Sequence, residues 1–353
     1  MITFQASVSK GWLHVNGGFI FDESYYMNPL YRLEQDRKMN QLTRNIFGQY
    51  PIYPMEANLM QAPYVTDRQV LVGGIQPNLI LAVLLGAEFI FPPDKDSDVK
   101  GHPLQNIDND TALPTVEVIL NHPLIKKFDE DIRRIQKERP DLEVIPPFFW
   151  DTSGRATIHG IITTSFKLIG HEALMMFFTN PELLKSVHQW IDDTYSLLID
   201  HYSKMANLPV TSVHVGECSG TMISNEQYLE FIVPYVNQLG DRFDNIRLHS
   251  CGISDHILDA ITSIKNLGII DTGSNTSVKK IREMMGPEFE INLEPPVKLM
   301  LTSASAGDIL DWLNNTLEEN DGGPLKFALH LESGYNTDNC LLIFDELTKR
   351  GLA

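Results

Sequence analysis

The chain is 353 residues long, 43% hydrophobic and 21% charged, with a formal net charge of -18. Its apolar content is ample for a large core. The acidic balance, with no Lys/Arg run, excludes a nucleic-acid partner, which would need a basic face to displace counterions from phosphates.

The N-terminal residues Met1-Ile2-Thr3-Phe4-Gln5 carry neither a basic region nor an apolar leader. The longest apolar stretch, about Leu79 to Phe91, contains Glu88 and is too short to span a bilayer. Next comes a polar segment from Pro92 to Asp110, read as a long surface loop. From Glu143 a strand–helix alternation begins, with Glu143 to Trp150 starting as an apolar strand. Asn180-Pro181-Glu182 opens a helix, Asn180 as N-cap and Pro181 at the first helical position. Leu183, Leu184, Val187, Trp190, Ile191, Leu198 and Ile199 follow at helical spacing.

Val210 to Cys218 reads as a strand, and Ser224 with Gln227 forms a capping box for a helix through Tyr235. Ile246 to Cys251 is a strand followed by a turn at Gly252 and a helix capped by Ser254. Ile269–Asp271, Phe289–Glu294 and Phe327–Glu332 are further strands, and Leu341 to Leu347 lies on the last helix. So many strand–helix units predict an α/β chain with a parallel sheet closed into a (β/α)8 TIM-type barrel. The expectation is a single domain over 1–353, with an N-terminal extension before the readable alternation.

Polar residues recur where these strands end: Glu217, His249, Cys251, Asp271, Glu294 and Glu332. In a barrel such ends converge on one face around one cavity. His249 and Cys251 stand two apart on a strand, so imidazole and thiol share a face and can reach one ion. Nitrogen with sulfur suits zinc. Cys340 is the expected third ligand, because a thiol in the first turn of the last helix, with Thr337 as N-cap, would be acidified by the helix dipole. A buried apolar cysteine against the barrel wall is the competing reading of Cys340. Glu217 is expected as fourth ligand or as catalytic base. Cys218, pointing away from Glu217, is left outside the site. Tyr64, Trp150 and Asp151 are read as structural. Three cysteines make no disulfide framework, so the expected compartment is the reducing cytoplasm.

The stretch from Ile161 through Leu184 resembles the second-strand loop and helix of the uroporphyrinogen decarboxylase superfamily, as does Met222 to Tyr235. Leu248-His249-Ser250-Cys251-Gly252 resembles the zinc-binding segment of its corrinoid-dependent methyltransferase branch. The likeness covers roughly residues 143 to 353 well. It implies a zinc enzyme that moves a methyl group between a small methylated substrate or thiol and methylcobalamin carried by a corrinoid partner protein. Two departures stand out. No Arg-Gln-Ala-Gly-Arg-like segment, which porphyrinogen decarboxylases use to hold substrate carboxylates, lies near the N-terminus. The branch also places a cysteine just after the last strand, where this chain reads Glu332-Ser333-Gly334, leaving Cys340 or Glu332 as third ligand. The alternatives are a metal-free decarboxylase-like lyase and a non-enzymatic partner of a corrinoid protein.

Overall fold

Short apolar strands separated by helices must pair in parallel, since each crossover helix carries the chain back to the starting edge. The computed structural model, which describes residues 1–54 and 59–352, has that organisation. In chain order the strands are β1 (Ile2–Val8), β2 (Ile52–Tyr53), β3 (Gln69–Leu71), β4 (Phe89–Ile90), β5 (Asp98–Val99) and β6 (Glu143–Ile145). They continue as β7 (Arg155–His159), β8 (Ser212–Gly216), β9 (Ile246–Ser250), β10 (Leu267–Gly273), β11 (Glu290–Glu294) and β12 (Leu325–Leu331). Eight of them form one sheet in the order β2-β1-β12-β11-β10-β9-β8-β7, every neighbouring pair parallel. Among the described residues no ladder joins β7 back to β2. β3 and β6 pair separately, and a bond from Thr157 N–H to Phe148 C=O brings the chain after β6 to the edge of β7.

The N-terminal residues, expected to precede the sheet, enter it: β1 lies between β2 and β12. The strand read at Glu143 to Trp150 is the short β6, and the next member of the main sheet is β7. Arg155, Thr157 and His159 on its inner face broke the apolar pattern that a buried strand usually shows. The segment read as a loop from Pro92 contains β5, paired antiparallel with β4.

Local punctuation works as its chemistry requires. The Asn180 side chain accepts from Leu183 N–H and Pro181 opens a helix that runs to Ala206. The Ser224/Gln227 box opens Asn225–Phe231, but the helix expected through Tyr235 breaks at Ile232 and restarts at Val233–Phe243. Pro234 is the reason: it lacks an N–H and is tolerated only in a first helical turn. Ser254 stands at the N-cap of the turn Asp255–Ile257, but its side chain makes no cap bond; its hydroxyl meets that of Ser250 at 2.8 Å.

Alternate residues of the sheet point inward, and here that face is polar. It carries Thr157, His159, His214, Arg247, His249, Asp271, Asn292 and His330, while Val213, Val215, Leu248, Ile270, Ile291 and Leu293 pack outward against the helices. A polar interior marks a site, because buried polar groups persist only where something satisfies them. No single helix among the described residues is long and apolar enough to cross a membrane.

Candidate metal centre

The inner face of β8 runs His214, Gly216, Cys218, and that of β9 runs Arg247, His249, Cys251. Both continue past the last paired residue, so two thiols and an imidazole meet at the C-terminal end of the sheet. The ligand atoms of Cys218, His249 and Cys251 all lie within 4.8 Å of one another, the one such three-residue group among the described residues. Cys218 opens a single helical turn, Cys218–Met222, that follows directly on the strand and holds its thiol over the cavity. Thr221 Oγ1 secures that turn by donating to Cys218 C=O.

Charge is arranged around this group. Cys251, accepting a hydrogen bond from Cys218 and lying beside His249, is held well below the usual thiol range. Cys218 is pushed up, chiefly because it shares that bond with Cys251. The shared bond thus favours the thiolate form at Cys251 over Cys218. His249 is buried, which favours its neutral form, yet the Asp271 carboxylate opposes this and lifts it well above its ordinary value. His249 Nδ1 lies 3.2 Å from Asp271 Oδ2, leaving Nε2 as the nitrogen available to a metal. Asp271 is fully buried, but the Arg247 guanidinium bonded to it and His249 beside it hold it well below the carboxylate range. The result is a chain of charge, Arg247 to Asp271 to His249, that ends at the thiols.

Glu217 takes another direction. Its carboxylate is fully buried and accepts from Ile162 N–H at 3.3 Å and from Thr163 N–H and Oγ1 at 2.9 Å each. It thereby seats on the N-terminus of the helix Ile161–Ile169, close against Gly160, where any Cβ would collide with it. Burial outweighs these donors and raises its pKa to about 7. The structure therefore leaves Glu217, expected as ligand or base, outside the three-residue group, bracing the loop that carries Cys218.

Cys340 is not brought to the group either. It lies in the helix Thr337–Lys349, capped by Asn336 rather than Thr337, and is completely buried in the hydrophobic core. Burial pushes its thiol up, against the acidification expected from the helix dipole. The barrel-wall reading of Cys340 is the one that describes its surroundings. Glu332 sits one residue beyond β12, exposed, with a carboxylate oxygen 3.3 Å from His330 Nε2. Glu294, the last residue of β11, is half-buried, and desolvation raises it to about 7.

The member of this group that sequence reasoning missed is Cys218, and a signal for it was present. Alternation was counted from Glu217, which faces the helices; counted from His214 it puts Cys218 on the inner face. A cavity of about 230 Å³ lies alongside, bounded by Lys10, Asp96, His159, His214, Cys218 and His249 among others. Lys10 and Asp96 form an ion pair across its wall. Its size suits a small molecule, and Cys218 and His249 contribute to its wall.

One solved structure in particular agrees with this architecture. A methyltransferase from Methanosarcina mazei has a similar structure, with a TM-score of 0.63 and 15% identity over 98% of this chain and 92% of that one. A B12-independent methionine synthase from Shewanella sp. W3-18-1, solved with selenomethionine, aligns at a TM-score of 0.46 and 9% identity over 99% and 98% of the two chains. No curated protein matches the sequence. The model of the uroporphyrinogen decarboxylase (URO-D) family matches residues 75–336, and the chain belongs to that family.

Proposed function

We propose that the protein is a zinc-dependent methyltransferase that works with a corrinoid protein, moving a methyl group between a small methylated substrate or thiol and cobalamin. The observation that carries this reading is the group Cys218, His249 and Cys251 within 4.8 Å. Two thiolates and one imidazole fit zinc, and three protein ligands are the pattern of catalytic sites that keep a position for substrate. A zinc ion bound there would supply Lewis acidity, holding a thiol as its thiolate or polarising the heteroatom that carries the methyl group.

The chain's own residues have separable tasks in this reading. Asp271 fixes the His249 ring, and Arg247 keeps Asp271 ionised. Glu217 ties the Cys218 turn to the helix Ile161–Ile169. The adjoining cavity receives the small substrate, and cobalamin arrives from outside, over the C-terminal ends of the strands. The reading treats residues 1–353 as one (β/α)8 barrel domain, with an N-terminal extension in the helices between Lys10 and Phe47, working in the reducing cytoplasm. In a metal-free lyase the clustered thiols would have no task. The likeness to a methyltransferase fold over nearly the whole chain favours the same choice.

The test supplies methylcobalamin and 2-mercaptoethanol, then separately cob(I)alamin and a methyl phenyl ether, to zinc-loaded and chelator-stripped protein. Methyl transfer in one direction should appear in proportion to zinc loading and vanish in Cys251→Ala. Transfer that proceeds equally in stripped protein or in Cys251→Ala would reject the proposal.

A further inference from the structure

The two thiols that meet at the C-terminal end of the sheet are close enough to react with each other. The sulfurs of Cys218 and Cys251 lie within 4.8 Å and share a hydrogen bond. They sit on adjoining chains that are still paired there, since Glu217 N–H donates to His249 C=O at 2.7 Å. The loop after β9 also closes tightly on the Cys218 turn: a Cβ at Gly252 would come within 2.9 Å of Thr221 Cγ2. Cysteines on abutting strands have Cα separations in the range a disulfide spans, about 4.4–6.8 Å, so side-chain rotation alone brings such sulfurs together.

Access separates this pair from the third cysteine. Cys251 is exposed and Cys218 partly buried, whereas Cys340 is locked in the core, outside their group. A small oxidant therefore reaches Cys251 first and finds Cys218 beside it as the thiol that resolves the product.

We propose that Cys218 and Cys251 form a reversible disulfide in the metal-free protein, so that a hydroperoxide closes the site and a dithiol reopens it. In the first step the Cys251 sulfur attacks the outer oxygen of the hydroperoxide. The O–O bond breaks, the alcohol leaves with the Cys251 proton, and Cys251 becomes a sulfenic acid. In the second step the Cys218 sulfur attacks the Cys251 sulfur, the S–O bond breaks, and hydroxide leaves with the Cys218 proton as water. Two thiols and one hydroperoxide thus give one disulfide, one alcohol and one water, a two-electron oxidation of sulfur matched by reduction of the peroxide. A disulfide has no thiolate to offer a metal, so the oxidised protein should take up no zinc. That consequence rests on the zinc reading; the bond itself does not.

The test treats chelator-stripped, reduced, full-length protein with one equivalent of hydrogen peroxide, then counts thiols after unfolding and maps peptides by mass spectrometry. The thiols should fall from three to one, with Cys218 and Cys251 in one linked peptide and Cys340 free. Dithiothreitol should restore them all. Cys218→Ser should give no linked peptide and should leave a sulfenic acid on Cys251 that dimedone traps. Cys340→Ala should form the bond as the wild type does. Zinc uptake is measured beside these: the reduced protein should load zinc and the oxidised protein should not. Reduced protein that binds no zinc yet forms the bond upholds the disulfide and rejects the zinc reading alone. The proposal is overturned by wild-type Cys251 carried to sulfinic acid with Cys218 still free, by a bond between chains instead of within one, or by thiols left unreacted. Oxidised protein that loads zinc as well as the reduced form overturns it too.

Discussion

Cys218→Ala should strip the protein of its metal while leaving it folded. One of three ligands disappears, so zinc affinity should fall by more than the roughly 10–100-fold that loss of an outer-shell partner costs. The side chain is small and only partly buried, so the fold should tolerate its removal. Cys340→Ala should show the reverse. Its thiol is locked in the core, and truncation should cost about 1 kcal/mol of stability, with zinc affinity unchanged. Competition with a chromophoric chelator, run beside urea unfolding, reads both quantities. If Cys340→Ala lost zinc and Cys218→Ala kept it, the ligand set would have to be redrawn around the last helix.

Asp271→Asn should have the largest effect on stability of any single change near the site. Asp271 is fully buried between Arg247 and His249, so the neutral amide would withdraw the carboxylate charge that is bonded to the Arg247 guanidinium. Breaking a buried pair from one side typically costs about 3–5 kcal/mol. The same change removes the carboxylate that orients the His249 ring, adding a loss of about 10–100-fold in zinc affinity. Urea unfolding of the zinc-free protein isolates the first effect, and chelator competition the second. A zinc-free variant as stable as the wild type would show that the Arg247–Asp271 pair is not the structural element described above.

The sequence made the alternation of strands and helices legible from about residue 143, together with its strongest local signals: the Asn180 cap with Pro181, the Ser224/Gln227 box and the His249-Ser250-Cys251 pair. What it hid has physical causes. β7 escaped notice because its inner face is polar, and polar inner faces occur where a barrel encloses a site. β1 is far in sequence from β12, its neighbour in the sheet, and stands apart from the strand–helix alternation that begins near residue 143. Glu217 and Cys218 exchanged roles because alternation relates residues to one another without saying which face is inside. His214 and Gly216, both lining the cavity, settle that question once the sheet is formed. For Cys340, proximity to a helix N-terminus suggested a reactive thiol, but burial dominates over the dipole.

X-ray absorption at the zinc edge of the zinc-loaded protein tests the central claim most directly. Ligation by Cys218, His249 and Cys251 predicts two sulfur scatterers at about 2.3 Å and one nitrogen at about 2.0–2.1 Å, with any remaining ligand a light atom from solvent or substrate. A shell with three sulfurs, or with one sulfur among oxygens, would contradict it.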